Sequence, residues 1–384
     1  MNKKYGVAVM TVTLLTALGA GVILCELLLR LLYPQTLGVW VQTRDGLIIL
    51  RPTFQVYLEK FGTHVQTNSH GFRDREHDVS KKEGVLRILL LGDSFMESLQ
   101  VEFQDAFPSL LEKQLRTLLG CQVEVISAGV SGWGTDDEVT YLARKGREFY
   151  PDLVLFAATL HNDISDNLEG RYHAVDQGQL IAKPVHELPW LAFAAIEARS
   201  YLASHSHLYQ IAYQSWKSLG RPSAGNRLEN HVVELMRNDQ SDEVKRGWWI
   251  TQKLLEKASR LAKADGFHVA MFIIPTIYAA DSGSYSELIS THRLTASDFN
   301  RDKPVETLMA ILEREGIWAI NLLPDLRARG NASGQQFFIQ GDGHFNKAGH
   351  QLAVSVVGRE LAGKIGEWGN SDQCSPKKLM AKGK

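Results

Sequence analysis

The chain has 384 residues, of which 44% are hydrophobic and 22% charged, the composition of a globular protein with one large domain or two small ones. Its formal net charge of -1 provides no long-range field for a polyanion, which disfavours a role in binding DNA or RNA. The sequence contains no CxxC pair and no HExxH helix, so neither a metal site nor a cofactor is expected.

The N-terminal segment is apolar almost without interruption from Gly6 to Leu24, close to the roughly 20 residues that cross a bilayer as a helix. Lys3 and Lys4 precede it, and positive charges beside a first span hold that flank in the cytoplasm. We therefore expect residues 1–34 to be an uncleaved transmembrane anchor with the rest of the chain outside the cytoplasm. A cleaved signal peptide is the alternative, although no small-x-small cleavage site follows the apolar run.

The segment 35–84 is rich in polar and turn residues and is expected to be a membrane-proximal segment that packs on the next domain. From Val85 onward, apolar runs alternate with helical periods, which is typical of a parallel sheet covered by helices on both faces. Helices are predicted at 106–119, 135–149 and 242–264. The predicted strands are Arg87–Gly92, Val123–Ser127, Leu153–Thr159, His268–Pro275 and Trp318–Leu323.

This alternation predicts one α/β domain over 85–366, a three-layer α/β/α sandwich with about five parallel strands. Thr135 and Glu138 are predicted to form a capping box at the start of the second helix. Between 166 and 244 the alternation of strand-like and helix-like segments is less regular, and a helical insertion is expected there. Its aromatic residues are Trp190, Phe193, Tyr201, Tyr209, Tyr213 and Trp216.

The polar, lysine-rich residues 367–384 are expected to form a disordered tail. Apart from Cys25 at the end of the apolar run, the cysteines are Cys121 and Cys374. Two free thiols are the favoured interpretation, and one disulfide in an oxidising compartment is the alternative.

The first candidate site residue is Ser94, in the tripeptide Gly92-Asp93-Ser94 at the end of the first predicted strand. Ligands bind at the carboxyl ends of strands in open α/β sheets. Gly92 permits a tight turn that presents the Ser94 hydroxyl, with the Ser94 backbone N–H aimed at a bound oxygen. A serine that caps a helix is the ordinary alternative.

Two polar turns follow the second and third predicted strands. Gly132 has no side chain, so its backbone N–H can approach a substrate oxygen, and the amide of Asn162 can donate to an oxyanion. Taken alone, Gly132 is more simply part of a strand-to-helix turn. His161 is a rival general base, for which substrate binding or packing is the favoured role.

Asp342 and His344 lie in a glycine-rich stretch before the last helix. An Asp two residues before a His lets a short loop join carboxylate to imidazole, which orients the ring to take a proton from a serine. The alternative is a simple turn into a helix that Asn346 caps. His350, inside that helix, is expected to be structural.

The four motifs follow one another in an order that resembles the SGNH (GDSL-like) hydrolase superfamily over about Arg87 to Leu361. The matches to its blocks I, II, III and V are, in turn, Gly92-Asp93-Ser94, Gly132, Asn162-Asp163 and Asp342 to His344. The resemblance implies a flavodoxin-like sandwich with Ser94 as nucleophile, His344 as base and Asp342 as orienter. It also implies an oxyanion hole made of the Ser94 N–H, the Gly132 N–H and the Asn162 amide.

Two positions depart from the family pattern: Leu160 stands where a glycine is usual, and one residue instead of two separates Asp342 from His344. The shorter spacing resembles membrane-associated bacterial members linked to polysaccharide O-acetylation. The segment Asn68–Asp74 also resembles the segment that precedes the catalytic domain in anchored bacterial members. These likenesses imply a bacterial inner-membrane protein whose catalytic domain faces the periplasm or cell exterior.

The expected function is serine-dependent hydrolysis of an O-acyl group, with O-acetyl favoured, on a cell-envelope carbohydrate, without a cofactor. An O-acetyltransferase acting on an exported polysaccharide, with a membrane partner in acyl transfer, uses the same triad and differs only in excluding water. A lysophospholipase or thioesterase with an acylated lipid substrate is a further alternative. A catalytically silent glycan-binding assembly factor is the alternative outside the enzyme class.

Overall fold

The computed structural model describes residues 3–185, 187–218 and 231–368. All but the first two residues of the predicted tail lie outside these ranges, and so does Cys374. The disorder of the tail therefore stays a prediction. Cys121 is disulfide-bonded, so the favoured interpretation of two free thiols is wrong.

The helices and strands are numbered here along the described chain. The helices are α1 (Lys3–Leu32), α2 (Ser94–Glu97), α3 (Phe107–Leu119), α4 (Thr135–Arg144), α5 (Asp163–Glu169), α6 (Trp190–His205), α7 (His207–Ser218), α8 (Asp242–Asp265), α9 (Ile277–Ala280), α10 (Ser282–Thr291), α11 (Lys303–Glu315), α12 (Leu323–Ser333) and α13 (Lys347–Glu367). The strands are β1 (Trp40–Gln42), β2 (Ile48–Leu50), β3 (Gln55–Leu58), β4 (Thr63–Gln66), β5 (Val85–Gly92), β6 (Gln122–Gly129), β7 (Leu153–Thr159), β8 (His173–Asp176), β9 (Gln179–Ala182), β10 (His268–Ile274) and β11 (Trp318–Asn321).

Helix α1 contains the apolar N-terminal run. An 18-residue window within its residues Tyr5–Leu32 has a mean hydropathy of 2.3, and none of that window is buried in the protein. At 1.5 Å per residue, its 30 residues extend about 45 Å, which exceeds the roughly 30 Å hydrocarbon core of a bilayer. By length and composition the helix can cross a membrane, and a signal sequence has the same properties.

Strands β5, β6, β7, β10 and β11 form one parallel sheet in the spatial order β11-β10-β7-β5-β6. They are the five predicted strands, with ends shifted by a few residues. Counted from β5, their order is 2-1-3-4-5, the flavodoxin-like arrangement, in which the chain changes direction across the sheet between β5 and β7. The predicted α/β sandwich is confirmed.

Side chains along β5 alternate between two cores because successive residues of a strand point to opposite faces. Leu89 and Leu91 belong to the core that α4, α8 and α11 cover. Ile88 and Leu90 belong to the core under α3 and α13. The sheet is therefore the buried middle layer of three, as expected for a parallel sheet.

Three local predictions differ from the structure. The helix predicted over 135–149 ends at Arg144, and a short 3-10 turn covers Gly146–Phe149. The insertion contains the antiparallel hairpin β8–β9 as well as helices. The predicted capping box is wrong: Gly134 is the N-cap of α4, its N–H donates to Asp137 at 3.2 Å, and the buried Glu138 carboxyl makes no hydrogen bond among the described residues.

The membrane-proximal segment forms two hairpins, β1–β2 and β3–β4, and then packs on the domain. The ring of Phe72 lies edge-on to Trp133 at 6.0 Å and to Tyr141 at 5.1 Å between ring centroids. The Trp133 indole N–H donates to the carbonyl oxygen of Ile48 at 2.9 Å. These contacts join the segment to the turn that follows β6.

A buried ion-pair network also ties this segment to the sheet. His77 Nε2 lies 2.9 Å from Asp74 Oδ2, and His77 Nδ1 lies 2.8 Å from Glu124 Oε1. Arg87 Nε donates to the other Glu124 oxygen at 2.7 Å. Burial lowers the pKa of His77, but the hydrogen bonds to Asp74 and Glu124 outweigh burial and raise it to about 9.

This network predicts a pH-dependent contribution of His77 to stability. Because the folded-state pKa is raised from 6.5 to about 9, charged His77 stabilises the fold fully below pH 6.5, and this contribution is lost as the pH rises through 9. The free energy of unfolding of wild type minus that of His77→Gln, measured in urea, should shrink over this window by up to about 3 kcal/mol. A difference that is independent of pH would contradict the network.

Candidate active site

The turn after β5 places Ser94 at the start of α2. Asp93 is the N-cap of this short helix, and its Oδ1 accepts a hydrogen bond from the Phe95 N–H at 2.9 Å. The alternative that Ser94 itself caps the helix is therefore wrong. With Asp93 in the capping role, the half-buried Ser94 hydroxyl is available for another contact.

That contact is the imidazole of His344. His344 Nε2 lies 2.7 Å from Ser94 Oγ, and His344 Nδ1 lies 2.6 Å from Asp342 Oδ1. The sequence-predicted serine, histidine and aspartate thus form one continuous chain of hydrogen bonds. In this arrangement an imidazole can take the serine proton while the carboxylate holds the ring and its tautomer.

The one-residue spacing between Asp342 and His344 is accommodated by a tight loop. The N–H of Ile339 donates to the His344 carbonyl at 2.8 Å, and the Asp342 N–H donates back to Ile339 at 3.1 Å. Phe95 supports the His344 ring, with centroids 5.1 Å apart. The loop therefore brings the carboxylate and imidazole together without a second intervening residue.

Lys60 is a contact of this site that sequence reasoning missed. Its Nζ lies 3.3 Å from Asp342 Oδ2, and it comes from the β3–β4 hairpin of the membrane-proximal segment. Burial raises the pKa of Asp342, but the hydrogen bonds and charges of His344 and Lys60 outweigh it, so the net shift is downward. No local pattern around an exposed lysine distant in sequence signals this contact.

Gly132 lies in the turn after β6, at the same edge of the sheet. Its φ of +77° is in the left-handed region that favours glycine, and a Cβ there would meet no atom within 4 Å. The described residues offer no hydrogen-bond acceptor to its N–H. The turn thus leaves a backbone donor beside open space.

Glu97, which sequence reasoning also missed, fastens the Gly132 turn to α2. Its carboxylate accepts a hydrogen bond from the Ser131 N–H. Burial raises the pKa of Glu97 to about 7, although the polar neighbours Ser131 and Trp40 and the charge of Arg73 oppose the shift. Because Glu97 ends the helix that Ser94 begins, it links the two predicted donor turns.

Gly129 allows α2 to lie directly on β6. A Cβ at this position would be 2.5 Å from the backbone nitrogen of Glu97 and 2.6 Å from the carbonyl carbon of Met96. Any side chain would push α2 away from the sheet. The position of the Ser94 turn therefore depends on a residue without a side chain in the neighbouring strand.

Asn162 lies at the N-cap of α5, beside the Ser94 turn. Its Nδ2 donates to Asp166 Oδ2 at 2.7 Å. Burial raises the pKa of the nearby Asp93 carboxyl, and the Asn162 amide opposes that shift. An amide nitrogen carries two hydrogens, so one can stay with Asp166 while the other serves the predicted oxyanion contact. The structure brings Asn162 close to the serine and holds it there through Asp166.

The neighbours of Asn162 have different surroundings. Leu160, at the position where the family has a glycine, is buried in the core, and its N–H donates to the Ile274 carbonyl at 3.1 Å. His161 is half-buried, and the ring that contacts Ser94 Oγ is that of His344. His350 is buried inside α13, where burial lowers its pKa to about 3, so its ring is neutral and packs against Phe345.

Several buried carboxyls lie behind the Ser94 turn. Thr159 donates its hydroxyl to Asp93 at 3.0 Å and its N–H to Asp163 at 2.9 Å. Burial, reinforced by mutual repulsion, raises the pKa of Glu138 and of Asp163 well above the ordinary carboxyl range. No group of His, Cys, Asp and Glu among the described residues is arranged to hold a metal.

Arg73, in the segment Asn68–Asp74, supports the loop that follows α2. Its buried guanidinium donates to the carbonyl oxygens of Val101 at 2.8 Å, His64 at 3.0 Å and Ser98. The segment Asn68–Asp74 is therefore packed against the loop that begins four residues after Ser94.

Comparison with known proteins gives distant likenesses only. No family model matches the chain, and a search of curated proteins found no match. Among solved structures, an acetyl xylan esterase is 12% identical with a TM-score of 0.38, covering 71% of this chain and 97% of its own. A lipase/acylhydrolase from Enterococcus faecalis is 15% identical with a TM-score of 0.38, covering 72% and 96%.

An acetyl-xylooligosaccharide esterase from Geobacillus Stearmophilus is 10% identical with a TM-score of 0.40, covering 72% of this chain and 93% of its own. These identities and TM-scores are low.

Proposed function

We propose that the chain is a serine-dependent ester hydrolase of the SGNH kind, with Ser94 as nucleophile, His344 as general base and Asp342 as orienter. The observation that carries the proposal is the hydrogen-bonded chain from Ser94 Oγ through His344 to Asp342, at 2.7 Å and 2.6 Å. It lies at the carboxyl edge of the sheet where the strand order reverses, which is the usual ligand position in this architecture.

In the proposed reaction, Ser94 Oγ bonds to the ester carbonyl carbon while His344 Nε2 takes the hydroxyl proton. The bond to the alcohol oxygen then breaks, and the imidazolium returns that proton to the leaving alcohol. Water attacks the acyl group on Ser94 with His344 again as base, which releases the acid and restores the serine. Asp342 stabilises the imidazolium throughout and does not itself become protonated.

We propose that three hydrogen-bond donors stabilise the negative charge that develops on the carbonyl oxygen. They are the N–H of Ser94, which as the first of α2 has no intrahelical partner, the N–H of Gly132, and the amide of Asn162. The two turns that carry the backbone donors are joined through Glu97. Donors held in place before the reaction cost no reorganisation when the charge develops.

The assignment of Asn162 predicts a selective loss of rate. Because its amide is proposed to bind the oxyanion and not the ground-state ester, Asn162→Ala should lower kcat by roughly 10²- to 10³-fold with little change in KM. Rates are measured on enzyme whose reactive Ser94 has been titrated, so misfolded molecules are not counted. An unchanged kcat would leave Asn162 as a turn residue and Ser94 and Gly132 as the only donors.

The proposed substrate is an O-acyl group, with O-acetyl favoured, on a carbohydrate of the cell envelope. A domain tethered outside the cytoplasm by α1 meets such polymers, and Gly132 is exposed to solvent, where a large acyl carrier can approach it. Acyl transfer to a polysaccharide uses the same triad and requires exclusion of water. The hydrogen-bonded triad makes a catalytically silent glycan-binding factor the weaker candidate.

A labelling experiment followed by a substrate panel tests the function. A fluorophosphonate probe should label the wild-type chain at Ser94, and the labelled peptide identifies the residue. Acetylated sugars, acyl-thioesters and lysolipids, each assayed with and without an added carbohydrate acceptor, then separate hydrolase, thioesterase, lysophospholipase and transferase. Absence of labelling with intact fold would contradict a serine esterase.

The proposed location is the bacterial inner membrane, with the catalytic domain in the periplasm or at the cell exterior. Lys3 and Lys4 before the apolar run of α1 support this orientation. A phosphatase reporter fused after Lys384 should be active, and the protein should sediment with membranes. Recovery of a soluble form that begins beyond Cys25 would show a cleaved signal instead.

A further inference from the structure

We propose that the α6–α7 hairpin lies on the outer surface of the membrane that α1 crosses, with its exposed aromatic and apolar side chains in the lipid interface. The proposal concerns five residues, named here the interfacial face. They are Trp190, Leu191, Tyr201, Leu202 and Trp216, and all are exposed in the protein, Trp190 to 70% and Trp216 to 72%.

Helix α6 has the composition of a helix that requires an apolar environment. Its 16 residues contain only two that are always charged at neutral pH, Glu197 and Arg199, and its apolar residues are spread around the helix instead of forming one stripe. A helix that is apolar all round is ordinarily buried in protein or lipid. Here only Ser204 is buried, and Phe193 and Ile196 are half-buried, so the protein itself covers α6 only in part.

The end of α1 holds the corner between α6 and α7. The carboxylate of Glu26 accepts hydrogen bonds from the N–H groups of His207 at 3.0 Å and Leu208 at 2.9 Å, which are the first donors of α7. Arg30 pairs with Glu26 at 2.8 Å and donates to the carbonyl of His205 at 2.6 Å, the last residue of α6. Both helices are therefore attached to α1 at the same height along its axis, near Glu26 and Arg30.

The length of α1 gives the position of this attachment point relative to the bilayer. Glu26 follows Lys4 by 22 residues, which is about 33 Å of helix. The hydrocarbon core of a bilayer is roughly 30 Å thick, so with Lys4 at the inner headgroups Glu26 lies at the outer headgroups. At this depth an unpaired charge would be energetically costly, and the hydrogen bonds among Glu26, Arg30 and the first N–H groups of α7 avoid that cost.

A bilayer surface is thus the occupant that suits the interfacial face. Trp and Tyr are the residues that favour the boundary between headgroups and acyl chains, and this face contains two Trp and one Tyr. Its position follows from the hydrogen bonds that attach α6 and α7 to the membrane helix, which a protein partner would not require. A second copy of this chain is the competing occupant.

Spin labels on the full chain in phosphatidylethanolamine/phosphatidylglycerol nanodiscs test the proposal. Cysteines are introduced one at a time as Trp190→Cys, Leu191→Cys and Trp216→Cys in a Cys25→Ser background, whose own signal is subtracted. Tyr150→Cys is the matched water-facing control, since Tyr150 is 67% exposed at the opposite edge of the sheet. Leu15→Cys tests whether the middle of α1 lies in the hydrocarbon core of the bilayer.

The interfacial-face labels should collide with a water-soluble nickel complex several-fold less often than the Tyr150→Cys label, and with oxygen more often. Accessibility equal to that at Tyr150→Cys would overturn the proposal, as would a water-like value at Leu15→Cys, since α1 would then lie outside the bilayer. Short spin–spin distances between two labelled chains would assign the face to a second copy instead. Unchanged thermal unfolding of each variant excludes misfolding.

Discussion

Replacing Ser94 by alanine should lower kcat on an activated ester such as p-nitrophenyl acetate by roughly 10⁴- to 10⁶-fold, because the atom that forms the acyl bond is removed. Stability should stay within about 1 kcal/mol, since the side chain is small and half-buried and Asp93, not Ser94, caps α2. Stopped assays at high enzyme concentration measure the residual rate, and urea unfolding measures the stability.

The matched control for this variant is Ser355→Ala. Ser355 is also a half-buried serine, its hydroxyl donates to the Leu352 carbonyl at 2.8 Å, and it lies on α13 away from the Ser94 contacts. Its activity should equal that of wild type. If Ser94→Ala kept full activity or still reacted with a fluorophosphonate at the active site, the nucleophile would be a different residue.

Replacing His344 by alanine should produce a loss of the same order, because without the imidazole no group at 2.7 Å accepts the Ser94 proton. The double variant of Ser94 and His344 should be little worse than either single variant, since the two residues act as one unit. Additive losses in a kinetic double-mutant cycle would show that they act separately.

Two other histidines test whether His344 is the base. His161→Ala should keep measurable activity, although it adjoins Asn162. His350→Ala should destabilise the fold, because it removes a buried ring packed on Phe345, but each folded molecule should still turn over ester. An inactive but folded His350→Ala variant, with His344→Ala active, would reverse the assignment of the base.

The membrane-proximal segment supplies support to the site as well as a connection to α1. Lys60 contacts Asp342, and Arg73 holds the loop after α2 through three carbonyl oxygens. A shortened chain that starts at residue 85 would lose both contacts. Activity should therefore be measured on a chain that includes residues 35–84, and not on the sandwich alone.

Much of this protein can be predicted from local sequence. The five strands are continuous apolar runs because a parallel sheet is buried on both faces, and such runs are visible without a structure. Ser94, Gly132 and Asn162 each follow such a run directly, so their convergence on one sheet edge follows from parallel strand order. Asp342 and His344 are close in sequence, so their contact needs only one short loop and can be predicted from their spacing.

Long-range packing decided the rest. The contact of the Ser94 hydroxyl with His344 depends on a ring from a residue 250 positions away. Glu97 and Lys60 act through contacts that form only after the hairpins and α2 have packed on the domain. The attachment of α6 and α7 to Glu26 joins segments about 180 residues apart. Hydrogen bonds of this kind have no period in the sequence, because their partners are set by tertiary geometry and not by neighbouring residues.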